Sequence, residues 1–156
     1  MATWSEFAAQ APTIAEGGRG LIYRLGVPLG YLATIRKDGG LRIHPVCPIV
    51  FEGDLWLLIG SHSPKKWDLL RDGRYALHAF PVDNDDEFMV AGRAEHVPDH
   101  EIEARVTEAL VATGATSADH TLFRLSIERA LLSLYEAKPG GGGIWPPQYH
   151  RWQDRT

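Results

Sequence analysis

The chain has 156 residues, of which 44% are apolar and 23% charged, and its net charge at pH 7 is −4. This composition fits one globular domain and excludes a disordered or collagen-like chain, because enough apolar surface is available to offset the entropy of ordering. The acidic balance disfavours a general nucleic-acid-binding surface. The single cysteine, Cys47, excludes an internal disulfide and a zinc site made of several cysteines, and it fits a reducing, cytoplasmic location.

The N-terminal part predicts a short amphipathic helix over 4–16, with apolar residues at three- and four-residue spacings. Pro12 should weaken or break it, and Gly17, Gly18 and Gly20 predict a flexible exit. No basic segment precedes an apolar one, so we expect no secretory signal. No apolar run approaches the ~20 residues of a membrane helix, so we expect no membrane span.

Alternating apolar residues predict strands from Gly30 onwards. A strand over 30–36 and a return strand over 41–51 flank Lys37-Asp38-Gly39-Gly40, and Asp-Gly between alternating runs is a strong hairpin signal. Pro45 and Pro48 cannot donate to a sheet ladder, so part of the return strand should be an edge or a bulge. The continuous apolar run 55–59 predicts a third, buried strand.

The rest of the pattern continues with helices and strands joined by turns. In chain order it predicts a helix over 64–72 with Ser63 as N-cap, strands over 74–81 and 87–97, a helix capped by Asp99 and ended by Gly114, and a long strand over 121–136. The fold class is therefore mainly β (α+β), a six-stranded antiparallel barrel with short flanking helices.

We expect a single domain over 1–156 in which 139–156 is a C-terminal tail hinged on glycines. Pro139 is followed by four glycines and then by an aromatic segment that contains Trp145, Tyr149 and Trp152. These rings have little reason to lie in water. They either fold back on their own barrel or cover a second subunit, and we favour the second subunit.

The pair Lys65-Lys66 lies in the first turn of the predicted helix 64–72. The helix dipole disfavours cations there, so two lysines close to the hydroxyls of Ser61 and Ser63 describe a site for an anion such as a phosphate. Two solvated surface lysines would explain the same pattern. The residues alone do not separate these interpretations.

The strand segment Arg42-Ile43-His44-Pro45-Val46 is the second candidate site. Arg42 and His44 share a face with Val46, and Pro45 leaves backbone groups free that could hold a planar ring. On the residues alone, a solvated edge strand is the simpler interpretation. The seven histidines show no tight ligand spacing, so we expect no metal site, and no side chain stands out as a general acid.

Four segments occur in a characteristic order. They are an opening hairpin strand, Gly30–Ile35 with Asp38-Gly39; the strand Arg42–Val46; the strand-to-helix segment Ser61–Arg74; and the glycine-bearing strand Phe88–Ala94. In this order they resemble the flavin-binding split-barrel family related to pyridoxamine 5′-phosphate oxidase. The resemblance covers residues 29–97 and, more loosely, 121–136.

The resemblance implies a homodimer that holds its cofactor in a groove between two barrels. It implies that the cofactor phosphate is bound by Lys65, Ser61 and Lys66 with Arg42 as a second anion partner, and that the ring lies along His44, Pro45, Val46 and Ile59 under Trp145. The sequence departs from the family pattern at Pro64, where an arginine is common, and at Asp68, where an asparagine is common. The Arg-Leu-x-Pro type ending is also missing, which disfavours vitamin B6 oxidation.

The leading hypothesis is therefore an FMN-binding oxidoreductase that acts on an unidentified small organic substrate. One alternative is a reductase that uses a 5-deazaflavin coenzyme in the same fold. Another is a non-enzymatic flavin or haem binding protein, with His44 or His62 as the axial ligand. The simplest alternative is a barrel whose groove binds nothing.

Overall fold

The computed structural model describes residues 1–115 and 119–155. In these residues there are four helices, α1 (Trp4–Gln10), α2 (Pro12–Ile22), α3 (Pro64–Arg71) and α4 (His100–Val111). There are eight strands, β1 (Gly30–Ile35), β2 (Leu41–Val46), β3 (Ile49–Phe51), β4 (Asp54–Gly60), β5 (Arg74–Ala79), β6 (Glu87–His96), β7 (His120–Ala137) and β8 (Gly143–Gln153). No helix in this part of the chain is long and apolar enough to cross a membrane.

The N-terminal segment forms two helices, α1 and α2, where the sequence predicted one short helix over 4–16. Thr3 and Glu6 form a capping box for α1, and Pro12 begins α2, where a first-turn proline lacks only an N–H that would have no partner. The prediction of a flexible exit at Gly17, Gly18 and Gly20 is wrong, because α2 continues to Ile22. A Cβ atom at Gly18 would lie 2.3 Å from the ring of Phe88, so the glycine lets the helix pack closely on the sheet.

The return strand predicted over 41–51 is two strands at opposite edges of the sheet. The strand order is β2-β1-β5-β6-β7-β4-β3, and all pairs are antiparallel. β2 pairs with β1 and β3 pairs with β4, so the chain crosses from one edge to the other at Cys47 and Pro48. A proline at this point removes a ladder donor and ends the pairing.

The long strand β7 joins the two halves of the barrel. One of its sides pairs with β6, whereas its other side pairs with β4 over 120–125 and with β8 over 129–137. Ala2 bridges Ile127 in the gap between these partners, with N···O distances of 2.9 and 2.8 Å.

The aromatic C-terminal segment forms the strand β8, whereas the sequence predicted a hinged tail. The glycines make a turn in which the Lys138 N–H donates to the carbonyl of Gly142 at 2.9 Å. Pro146 and Pro147 are tolerated because β8 pairs with β7 along one edge, and its other edge pairs with no strand in the described part of the chain. Trp152 packs against Phe7 of its own barrel, with 5.0 Å between ring centroids.

The predicted fold class, an antiparallel α+β barrel with short helices, is confirmed. The count of six strands is wrong, because the return strand divides and the C-terminal segment adds one. The barrel core contains the fully buried side chains of Phe7, Leu57, Phe88, Phe123 and Ile127. A smaller cluster lies under α4, around Trp56, Val106 and Leu122.

Two glycines of α2 should respond in opposite directions to alanine. Gly18→Ala forces a methyl group into the buried Phe88 ring and should lower the free energy of unfolding by about 1–2 kcal/mol. Gly20→Ala meets no atom within 4 Å and should raise the free energy of unfolding by about 0.5–1 kcal/mol through helix propensity. Urea unfolding measures both changes in the free energy of unfolding, and equal changes in the two variants would contradict the close helix–sheet contact at Gly18.

Candidate functional site

The buried carboxylate of Asp68 joins α3 to the β1–β2 hairpin. It accepts hydrogen bonds from Thr34 Oγ1 at 2.9 Å and from Arg42 Nε at 2.7 Å, and Arg71 approaches its other oxygen at 3.4 Å. Burial acts to raise the pKa of Asp68, but the hydrogen bonds from Arg42, Thr34 and Arg71 outweigh burial and hold the pKa below its usual value. A second ion pair lies just beyond the helix, between Asp72 and Arg74 at 2.6 Å.

The hydrogen bonds of Asp68 anchor α3 and thereby fix its first turn, which carries the two lysines. Lys65 Nζ donates to Ser63 Oγ at 2.9 Å, and Lys66 Nζ donates to the carbonyl of Ser61 at 3.3 Å. Ser63 is at the N-cap position but makes no capping hydrogen bond, because its hydroxyl accepts a hydrogen bond from Lys65 instead. Lys66 also lies over the ring of Trp67, 4.7 Å from its centroid.

Positive charge accumulates around Lys65. Burial lowers the pKa of the Lys65 ammonium, and the nearby guanidinium of Arg42 lowers it further. Within residues 1–115 and 119–155, no carboxylate forms an ion pair with Lys65 or Lys66. The first turn of α3 carries no acidic residue either. A half-buried ammonium with a cation as its neighbour is an unfavourable arrangement that a bound anion would relieve.

The strand β2 presents Arg42 and His44 towards the same region. They pair with the buried Thr34 and Leu32 of β1, so their side chains share the inner face of the hairpin. Burial lowers the pKa of His44, and Lys65 and Arg42 lower it further against an opposing effect of Asp68. His44 is therefore a neutral imidazole at pH 7.

The nine candidate residues do not form one cluster. Lys65, Lys66, Ser61, Arg42 and His44 come together at the start of α3, with Ser61 held by a hydrogen bond from its N–H to the carbonyl of Asp119 at 3.2 Å. The remaining four candidates lie elsewhere: Val46 and Ile59 are buried in the barrel core, Pro45 is exposed on the opposite face of β2, and Trp145 is exposed on β8 beside a cavity that His78 and Tyr135 also line.

Sequence reasoning missed the anchoring role of Thr34, whose hydroxyl is buried against Asp68. The alternation of β1 gives Thr34 an inward position, and a polar residue at an inward position was the available signal. A groove beside α3 is lined by Arg36, Arg42, Trp67 and Arg71 among others, and Lys65 lies outside it.

No protein-family model and no curated protein matches the sequence. Solved structures do match the fold. A Listeria innocua protein named "Putative Pyridoxamine 5′-phosphate oxidase" superimposes with a TM-score of 0.58 at 15% identity, over 72% of this chain and 91% of that one. This chain has the split β-barrel fold of the pyridoxamine 5′-phosphate oxidase-like proteins.

Two mycobacterial split barrels are also similar. A conserved hypothetical protein from Mycobacterium tuberculosis matches with a TM-score of 0.57 at 24% identity, over 65% of this chain and 74% of that one. A heme binding protein from Mycobacterium smegmatis matches with a TM-score of 0.60 at 19% identity, over 86% of this chain and 57% of that one. The chain thus spans little more than half of that heme binding protein. At these identities the likeness is one of fold.

Replacing Asp68 should lower the free energy of unfolding by an amount that depends on pH. Asp68→Asn removes a buried charge that two arginines surround, so the free energy of unfolding should fall by about 2–3 kcal/mol at pH 7. Because the folded-state pKa of Asp68 lies below its unfolded value, the wild-type advantage is present above about pH 4. It should shrink as the pH falls through the folded-state pKa.

Urea unfolding at pH 7 and pH 3 measures this dependence. Asp38→Asn is the matched control, since Asp38 forms an exposed pair with Arg36 at 2.9 Å and should cost less than about 1 kcal/mol. The anchoring role of Asp68 would be contradicted if Asp68→Asn lowered the free energy of unfolding no more than Asp38→Asn, or by the same amount at pH 3 as at pH 7.

Proposed function

We propose that this split barrel binds FMN and is an oxidoreductase that acts on a small organic substrate. The observation that carries the proposal is the half-buried Lys65, which has no carboxylate partner among the described residues and lies beside Ser63 and Arg42. A terminal phosphate supplies the negative charge and the acceptor oxygens that this cluster lacks.

The residues present fit the phosphate of a flavin. Lys65 would provide the main charge, Lys66 a second one, and Ser61 a hydroxyl beside them. The Nε of Arg42 is engaged with Asp68, so Arg42 would contribute through its remaining N–H groups. Flavin, when bound, supplies hydride or electron transfer, and the protein supplies its position and its electrostatic environment.

The proposal includes a homodimer built on the outer face of β1 and β2. Leu41 and Ile43 are 74% and 66% exposed on the edge strand β2, and Tyr31 stacks on Phe80 beside them with 4.4 Å between ring centroids. Pro45 lies on the same face. An apolar sheet face of this kind is covered in a stable protein, and a second copy of the barrel would enclose a ring bound along β2.

Trp145 supports the same arrangement. It is 71% exposed and lies apart from Lys65 on its own barrel. In the proposed dimer it covers the groove of the partner. The cytoplasmic location expected from the cysteine content remains part of the proposal.

A 5-deazaflavin coenzyme is less well supported. Its longer acidic tail needs several free cations along the groove, whereas Arg74 is paired with Asp72 at 2.6 Å and Arg42 is paired with Asp68 at 2.7 Å. Direct titration with both coenzymes distinguishes them.

Haem binding is the second candidate function. His44 is a neutral imidazole at pH 7, which is the form that ligates a metal, and one protein of similar fold is named a heme binding protein. A Soret band in the purified protein would favour haem, and flavin absorption bands would favour FMN.

Lys65→Ala should weaken FMN binding about 10- to 100-fold, because it removes a charge-assisted contact with the phosphate. Fluorescence titration of the apoprotein with FMN measures the dissociation constant. Lys138→Ala, in the exposed turn between β7 and β8, removes the same charge far from the site and should leave the affinity unchanged. Equal affinities for wild type and Lys65→Ala would rule out the phosphate site.

The dimer has its own test. Sedimentation at micromolar concentration should give particles of twice the chain mass for the wild type and single chains for Ile43→Asp, because a carboxylate would be buried in the interface. Val111→Asp places the same charge at the exposed end of α4 and should remain dimeric. A monomeric wild type would refute a cofactor site shared between two barrels.

A further inference from the structure

Three arginines converge where β7 and β8 lie side by side. Arg129, Arg151 and Arg155 line a cavity of about 720 Å³ whose wall also contains Trp152 and Met89. None of the nine residues that the sequence predicted for the flavin site lines this cavity.

The strand register explains why the arginines meet. Arg129 pairs with Gln153, and Leu131 pairs with Arg151. The period of two along β8 therefore puts Arg151 and Arg155 diagonally on either side of Arg129, at about 7–8 Å. The pairing continues beyond Gln153, since the Asp154 N–H donates to the carbonyl of Glu128 at 2.8 Å. Like charges in such positions repel one another.

The charges of these arginines are not compensated by described carboxylates. Seven other arginines form ion pairs: Arg36, Arg42, Arg71, Arg74, Arg93, Arg105 and Arg124. Asp154 also lines the cavity, but it accepts the N-terminal ammonium of Met1 at 2.7 Å. A chain of net charge −4 thus places three guanidinium groups around one cavity, and none of them forms an ion pair with a carboxylate of residues 1–115 or 119–155.

One of the guanidinium groups is held in place by an aromatic ring. Arg151 lies over Tyr149, 4.7 Å from the ring centroid. A guanidinium over an aromatic ring still has N–H groups that can donate to the two oxygens of a carboxylate or phosphate. Trp152, Met89 and Leu131 add apolar surface beside the charges.

We propose that this cavity is a second ligand site, which binds a small molecule with a carboxylate or phosphate group and an apolar or aromatic body. Arg129 and Arg151 hold the oxyanion, Arg155 adds charge, and Trp152 contacts the body. On the same barrel, this site lies apart from the proposed flavin site. The row Pro45, Tyr31, His78, Met89, Leu131 and Arg151 crosses the sheet. Five strand spacings of about 4.8 Å therefore separate Arg151 from β2.

The test uses benzoate and phenyl phosphate as probes and benzamide as the neutral control. Tryptophan fluorescence and calorimetry of the full chain should give saturable, millimolar binding of at least one of the two anions. Benzamide should bind at least tenfold more weakly. The stronger anion identifies whether the oxyanion is a carboxylate or a phosphate, and affinity should fall with added salt.

Variants decide which residues are responsible. Arg151→Gln and, as an independent variant, Arg129→Gln should each weaken anion binding at least tenfold. Arg24→Gln, an exposed arginine that does not line this cavity, should leave it unchanged. Thermal unfolding verifies that each variant is folded.

Absence of saturable binding, or equal affinities in Arg151→Gln, Arg129→Gln and wild type, would overturn the proposal. FMN affinity is measured on the same variants. An unchanged FMN affinity with lost anion binding supports a separate site, whereas an FMN affinity that falls tenfold in Arg151→Gln would overturn it.

Discussion

The arrangement of the site depends on one buried carboxylate. Asp68 is 3% exposed and accepts hydrogen bonds from a threonine of β1 and an arginine of β2, so it ties α3 to the hairpin at the sheet edge. A buried charge is tolerated only when it is paired and hydrogen-bonded. The position of the helix is therefore set by this contact, and with it the direction in which the first turn of α3 presents its two lysines.

The ion pairs of Asp68 distinguish the cations that hold the helix in place from the cations that are available to a ligand. Asp68 compensates Arg42 and Arg71, whereas Lys65 and Lys66 have no such partner among the described residues. Lys65 is held near Ser63 in a partly desolvated position, which strengthens its interaction with any anion that reaches it. A phosphate bound there would meet a rigid helix terminus instead of flexible surface side chains. This is the physical basis of the FMN proposal.

Local signals in the sequence predicted much of the fold. Asp38-Gly39 indicated the hairpin, Ser63 indicated the start of α3, and the continuous apolar run 55–59 indicated β4. The strands predicted over 74–81, 87–97 and 121–136 correspond to β5, β6 and β7. The division of 41–51 between opposite sheet edges depends on tertiary pairing, which alternation does not encode. The strand β8 was missed because two prolines are atypical of strands and are tolerated only at an edge. The arginine cavity could not be predicted, since it depends on the β7–β8 register.

Comparison of FMN with riboflavin is the sharpest test of the phosphate site at Lys65. The two share the ring and differ in the phosphate, so their affinity ratio isolates the contribution of the anion site at Lys65. We expect the wild-type protein to bind FMN at least tenfold more tightly than riboflavin, and Lys65→Ala to bring the two affinities close together. Equal affinities of the wild-type protein for FMN and riboflavin would contradict a phosphate site at the start of α3.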